Sequence, residues 1–571
     1  MFEALRKERI VAAAGFNRWR VPPASISIHL CIGSVYAWSI FNPPLTKLRG
    51  VATSSADDWT LGQVVWVFSV AIATLGITAA IAGKWLERVG PRMVGVTAAC
   101  CYGGGFALAG LAISLQQLWL LYLGYGIVAG AGLGLGYVSP VSTLIKWFPD
   151  RRGMATGMAI MGFGGGAIIA APLEQWLVAR FHRLPDYLGP TDAVALVTEG
   201  GRRLASVGGE LREVVVVGAN EVAAMTVPAD PGVYVVGTGN AGVAETFFVL
   251  AAAYFCVMMI ASFAYRVPPE GWRPAGWTPP SDDTQAADKL ITRHDVEIDE
   301  AMRTPQFWQL WVLLCFNVTA GIGVLGVAKT MMTEIFGRAL PAVVDGAFAA
   351  TYVLMISVFN MIGRFAWSSL SDPLGRKRMY TIFFAAGACL YLSIPWIAAH
   401  GSTGAVAWLI AFYAVTMLVF TMYGGGFATF PAYLADIFGS KYVGGIHGRA
   451  LTAWSLAGVL GPVLLTNLRA RAEAKAIGEL AAMVEPARFT AAFGSDPSQL
   501  DALVAAKSVT IAKLMDLVPP GTPDPSSGLY DSTMILMAVL LAIALVVNLR
   551  VKPVDPRHYA ERTSATRRPA G

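Results

Sequence analysis

Apolar runs of membrane-spanning length recur along this whole chain, and they leave little room for another architecture. A helix needs about 20 mostly apolar residues to cross a hydrocarbon core roughly 30 Å thick. Such runs lie near 24–41, 61–82, 93–114, 118–139, 154–178, 246–264, 307–328, 344–370, 379–399, 405–428, 450–468 and 532–547. Of the 571 residues 55% are hydrophobic and 14% charged, whereas a soluble domain carries about 25% charged residues. The expected fold is an all-α polytopic membrane protein with twelve transmembrane helices. The first run ends at Asn42-Pro43-Pro44, because proline removes a backbone donor and restricts its predecessor.

The runs divide as six plus six. Two charged turns mark the repeat, GKWLERVGPR (Gly83 to Arg92) and SDPLGRKR (Ser371 to Arg378), and internal repeats are common in secondary transporters. A polar insert separates the fifth and sixth runs of each half, at 180–245 and 469–530. The organisation is therefore an N-terminal six-helix half (1–264), a cytoplasmic linker (265–304) and a C-terminal six-helix half (305–571). In the first insert, Val214 to Gly218 and Val233 to Gly239 read as short strands bounded by turn formers. The second reads as alanine-rich helix broken between Pro519 and Gly528. Short loops carry Lys84, Arg88 and Arg92, then Lys146, Arg151 and Arg152, then Arg376, Lys377 and Arg378, while the turns near 115–117 and 400–404 have no Lys or Arg. The positive-inside rule then puts both termini in the cytoplasm and both inserts outside. A multi-pass monomer in a cytoplasmic (inner) membrane is expected.

Several function classes fall away. The net charge of +6 belongs to basic cytoplasmic turns, not to a nucleic-acid surface. Cys31, Cys100, Cys101, Cys256, Cys315 and Cys389 lie in apolar stretches without metal-ligand spacing and read as inert thiols. The N-terminus MFEALRKERI lacks the hydrophobic core of a cleaved signal peptide. Glycine runs at Gly130 to Gly136 and Gly162 to Gly166 have nucleotide-loop-like spacing but no strand–turn–helix context, so close helix packing is the reading. No enzyme motif, cofactor or metal site is expected. With no nucleotide-binding domain, energy for any transport would come from gradients.

Arg364 stands inside the eighth run. An ionised group there is costly unless it faces protein or a water-filled cavity, so it is a functional candidate by default. Its guanidinium can grip a carboxylate with two parallel hydrogen bonds; the plainer reading is a structural arginine that pairs with another helix or snorkels to the interface. Glu87, Arg88, Asp372 and Arg376 pair acid with base in the two charged turns, as a conformational latch or as simple anchors with local caps. His29 is a candidate for proton coupling or a satisfied structural histidine. Tyr36, Tyr137, Tyr352 and Trp454 are candidates to wall a small anion or to pack the helices. Lys329 reads as interfacial, Glu174 as an acid near the outer end of the fifth run, and Asp436 as a cytoplasmic cap.

These motifs, in this order, resemble the major facilitator superfamily and, within it, the oxalate/formate antiporter family. GKWLERVGPR is similar to the loop between spans two and three, and GRFAWSSLSDPLGRK to its second-half counterpart, preceded by a span-eight arginine. GSVYAWSIFNPPL, FATFPAYLADIFG and HGRALTAWSLAGVLGP are similar to spans one, ten and eleven. The resemblance covers nearly all twelve spans but neither insert. It implies a major facilitator fold and alternating access for small carboxylates, by exchange or with protons. It also implies that Arg364 grips a carboxylate, while the family's span-eleven lysine falls on Trp454. Losing that cation favours a monocarboxylate such as lactate, pyruvate or formate over oxalate, as in monocarboxylate transporters with their own span-eight arginine. The expected partners are a small organic anion, protons and membrane lipid. The alternatives are an oxalate or dicarboxylate antiporter and a non-transporting receptor on the same fold.

Overall fold

The computed structural model describes residues 2–199, 202–217, 229–278, 290–493, 496–505, 509 and 511–560. Arg562, Arg567 and Arg568 of the basic tail and the middle of the linker lie outside the described residues. Among those described, eleven helices are long and apolar enough to cross a membrane. Chain order gives α1 (Val21–Ile32), α2 (Leu61–Val89), α3 (Pro91–Ser114), α4 (Leu118–Trp147), α5 (Arg152–Phe181) and α6 (Val243–Ala264). Then come α7 (Pro305–Phe336), α8 (Gly346–Leu374), α9 (Arg376–Gly401), α10 (Val406–Phe438), α11 (Val443–Ala450), α12 (Thr452–Met483) and α13 (Asp531–Leu549).

The first span is the exception among the twelve. It is α-helical over Val21–Ile32 and continues as a 3₁₀ helix over Gly33–Ile40. The tighter winding rises faster, so together they cover about 34 Å, still enough to cross. The eleventh span differs in two ways. It breaks between α11 and α12 at Leu451, and α12 runs on to Met483 rather than stopping near 468. The sequence beyond Leu468 explains the extension. It is rich in alanine and carries i,i+4 pairs, Arg469–Glu473 at 2.8 Å and Lys475–Glu479 at 3.8 Å, which support a solvated helix.

The repeat is visible in the backbone. Helices α2 and α8 are each 29 residues long. They end at Gly90 (φ +85°) and Gly375 (φ +86°), a conformation that a Cβ would strain. Glu87 and Asp372 each stand three residues before that glycine.

The chain forms two compact units. The first comprises Met1–Thr278, Asp295–Ile298 and Gly439–Ser455; the second comprises Pro279–His294, Asp299–Phe438 and Leu456–Gly571. Thus α11, in the second half by sequence, packs in the first unit along α2. A Cβ on Gly83 would stand 2.4 Å from the Gly445 Cα, and one on Gly448 would stand 2.1 Å from the Ala79 carbonyl oxygen. The Ser455 hydroxyl closes the seam by donating to the Ile72 carbonyl at 3.0 Å. Small residues that let backbones meet are the usual means of close packing in membranes. Gly130, Gly132, Gly134, Gly162 and Gly166 likewise abut neighbouring helices.

In the first insert the two expected strands belong to a five-stranded antiparallel sheet. Its strands are β1 (Tyr187–Gly189), β2 (Leu196–Glu199), β3 (Arg202–Val207), β4 (Glu210–Val217) and β5 (Gly232–Val235), ordered β1-β5-β4-β3-β2. Strand β4 is apolar on both faces. Val214 packs with Ala205, Val233 and Val235, while Val215 and Val217 pack with Tyr234 and with Ala52 from the loop after the first span. Arg202 adds an ion pair to Asp57 of that loop at 2.7 Å. The sheet and the first loop therefore share one end of the first unit. The other end holds the N-terminal lead-in: Arg18 grips Asp150 at 2.6 and 2.9 Å, and the Lys7 ammonium donates to the Glu87 carbonyl at 3.0 Å. The second insert is helical in short pieces. At its base Arg469, Glu334 and Tyr530 form one network, with the Tyr530 hydroxyl donating to Glu334 at 2.5 Å.

Candidate functional site

Within the second unit, Arg364 is fully buried on α8. Ten residues separate it from Leu374, the end of the helix. That is about 15 Å of rise, so the side chain does not snorkel to the interface. Its Nε donates to the Asn360 Oδ1 at 2.8 Å, one turn back, and its guanidinium carbon lies 5.2 Å from the centre of the Phe427 ring. The glycines of α10 create this niche. A Cβ on Gly424 would stand 2.3 Å from the Asn360 carbonyl oxygen, and one on Gly426 would stand 2.9 Å from the Asn317 amide. The Asn360 amide and the Phe427 ring fix the orientation of the guanidinium, whose fork of N–H donors is of the kind that grips a carboxylate. Tyr352 sits on the same helix twelve residues earlier, about 18 Å away along the axis. It is buried against Phe412 and Tyr413, with ring centres at 6.3 and 5.3 Å. One small anion does not reach both Arg364 and Tyr352.

The first unit gathers the other aromatic candidates around Phe163 of α5. Tyr36, His29, Tyr137 and Trp454 have ring centres 5.0, 6.3, 5.5 and 5.6 Å from it. His29 meets Tyr137 edge-on at 5.2 Å, and Tyr137 meets Trp454 at 5.7 Å. His29, Tyr137 and Trp454 are each 0% exposed. The close approach of α1 to α5 makes this possible, since a Cβ on Gly33 would stand 2.3 Å from the Phe163 carbonyl oxygen. The cluster contains a member that the sequence did not single out. His447 on α11 is buried and lies 5.7 Å from Tyr137. Only the folded α2–α11 seam brings it there.

The charged turns are wired differently from the expectation. Glu87 pairs with Lys146, in the last turn of α4, at 2.7 Å, while Arg88 is exposed and makes no ion pair among the described residues. The second Glu87 oxygen faces α11: a Cβ on Gly444 would stand 2.8 Å from its Oε1. In the second unit Arg376 pairs with Asp372 at 2.6 Å and with Asp436 at 3.0 Å. Asp436, expected as a cytoplasmic cap, is instead a buried acid in the last turn of α10, drawn in because it neutralises the buried Arg376. In the first unit the acid before the glycine, Glu87, pairs with a base at the end of the fourth helix, whereas in the second the base after the glycine, Arg376, pairs with an acid there. Lys329 is exposed on α7. Among the described residues no three His, Cys, Asp or Glu side chains gather as a metal site.

The model of the Major Facilitator Superfamily matches residues 28–188 and 220–462. The chain is similar to the oxalate:formate antiporter of Oxalobacter formigenes, at 25% identity over 462 residues, 79% of this chain and 86% of the relative. It is similar to apicoplast pyruvate carrier 1 of Toxoplasma gondii, at 25% identity over 497 residues, 77% of this chain and 82% of the relative. In structure it resembles a bacterial homologue of the iron transporter ferroportin in an outward-facing state. That likeness has a TM-score of 0.52 at 10% identity and covers 93% of this chain and 98% of the other.

Proposed function

Since the chain belongs to the Major Facilitator Superfamily, and so is a multi-pass secondary transporter rather than an enzyme, we propose that its solute is a small organic anion. Monocarboxylates such as lactate, pyruvate and formate come first. The observation that carries this reading is Arg364, fully buried mid-helix and oriented by Asn360 and Phe427. Placing an arginine at the centre of a membrane helix costs about 2.5–3.5 kcal/mol on insertion scales, and such residues mark solute pathways. The solutes in the names of the two sequence relatives, oxalate with formate and pyruvate, are all carboxylates and support the class.

Trp454 supports a single-charge substrate. It stands where the resemblance to the oxalate/formate antiporter family implies a lysine, and without that cation a second carboxylate would lose water without gaining a charged partner. Oxalate exchange is the second reading, favoured by the antiporter relative. The proposed topology is an inner-membrane protein with both termini and the charged turns in the cytoplasm. The lead-in residues packed on the Glu87 and Asp150 end of the first unit support that side as one face, with the sheet on the other. Counterflow into proteoliposomes with labelled lactate, pyruvate, formate and oxalate tests the substrate class. Exchange of the three monocarboxylates is expected, and uptake of none of the four removes the reading.

A further inference from the structure

Glu174 lies on α5, seven residues before its end at Phe181, about 10 Å inside the helix. It is 1% exposed. Its Oε2 has no hydrogen-bond partner and it enters no ion pair among the described residues. It is not alone in this. The Trp38 indole N–H of the first span is also buried without a partner, and the Tyr254 hydroxyl of α6 is buried with Ser34 near it. Tyr125 completes the surroundings. Its ring lies 4.3 Å from that of Trp38, in the stretch Tyr122–Ala129, where α4 is wound as a π-helix. Such wider turns recur at functional sites.

The titratable groups around Glu174 can be named element by element. From α4 and α6 come the phenols of Tyr125 and Tyr254, which stand within its electrostatic reach. In the first turn of α6, Glu245 is held by the Asn240 amide at 2.6 Å. On the first span, His29 lies at the level of Gly162, and Tyr36 lies on Phe163. Both are three turns of α5 away from Glu174, as is Tyr137 of α4. None is a cation beside the carboxylate. An ionised carboxylate in such a place costs several kcal/mol, whereas the neutral acid is a modest polar group with two phenols within reach. Burial without a cation favours the neutral carboxylic acid over the ion there.

We propose that Glu174 is a proton-binding site, which holds one proton in this arrangement and releases it when α5 and its neighbours part to admit water. The coupling role rests on the reading of the chain as an organic-anion carrier: one proton moved with one monocarboxylate transfers no net charge. The test uses the purified full chain in proteoliposomes, as wild type, Glu174→Gln and Glu174→Asp. Two quantities are compared, counterflow of labelled lactate at equal pH and net accumulation under an imposed pH gradient, acid outside. Glu174→Gln should keep counterflow and lose the gradient-driven accumulation, and Glu174→Asp should restore part of it. Gradient-driven accumulation at the wild-type level in Glu174→Gln overturns the proposal. Infrared spectroscopy keeps the site testable if wild type exchanges no carboxylate, in which case the functional reading fails but the site does not. A protonated-carboxyl stretch at neutral pH, present in wild type and absent from Glu174→Gln, supports the site. Identical carboxyl spectra overturn it.

Discussion

The Arg364 guanidinium is aligned by a neutral neighbour on its own helix, so geometry as well as charge is at stake there. Replacing Arg364 with Lys keeps the charge but removes the planar fork. A charged hydrogen bond contributes about 1.5–3 kcal/mol, so KM for a monocarboxylate should rise roughly 10- to 100-fold while membrane insertion persists. An unchanged KM in Arg364→Lys would show that no bidentate contact exists. Trp454→Lys should raise oxalate uptake relative to lactate, since it supplies a cation where the wild type has an aromatic wall; competition between the two labelled anions measures this. Arg364 was legible in the sequence because a charge in an apolar run stands out. Asn360 and His447 were not, nor was the pairing of Asp436 with Arg376. An amide one turn from an arginine carries no signal of its own, and the meeting of His447 with Tyr137 depends on two distant segments packing side by side.

At the scale of helices, the seam between α2 and α11 is the contact most exposed to perturbation. It is made of glycines, and a side chain at Gly83 has no space beside Gly445. Gly83→Leu should force the two helices apart. A single cysteine at buried Ala79, in a background without the six native cysteines, should then react faster with a thiol reagent; unchanged reactivity would mean that the seam yields without opening. Glu87→Gln, which loses the pair to Lys146, should shift the same reactivity in the same direction, by less, because partly exposed ion pairs contribute only about 1 kcal/mol or below. The helices were legible from their length and hydropathy. Their irregularities were not. The 3₁₀ winding of Gly33–Ile40 and the break at Leu451 sit beside close contacts with α5 and α2, and a local pattern does not encode contacts between distant segments. Two strands of the sheet were visible as valine runs, but β1, β2 and β3 are short or amphipathic and read as loop.

For the whole molecule, six-plus-six organisation followed from the repeated turns, and the matching glycines at Gly90 and Gly375 give the repeat a backbone basis. Sidedness is an expectation that comes from loop charge. Cysteines placed one at a time at Ser206 in the sheet and at Gln499 in the second insert should react with an impermeant thiol reagent in intact cells; labelling of both only after lysis would reverse the orientation. The central claim, that a buried arginine in the second unit receives the carboxylate of the transported anion, is tested most directly by counterflow of labelled lactate and formate into proteoliposomes that hold equal amounts of folded wild-type or Arg364→Ala protein. The account predicts exchange by the wild type and none above protein-free vesicles by the variant, whereas wild-type rates in Arg364→Ala would contradict it.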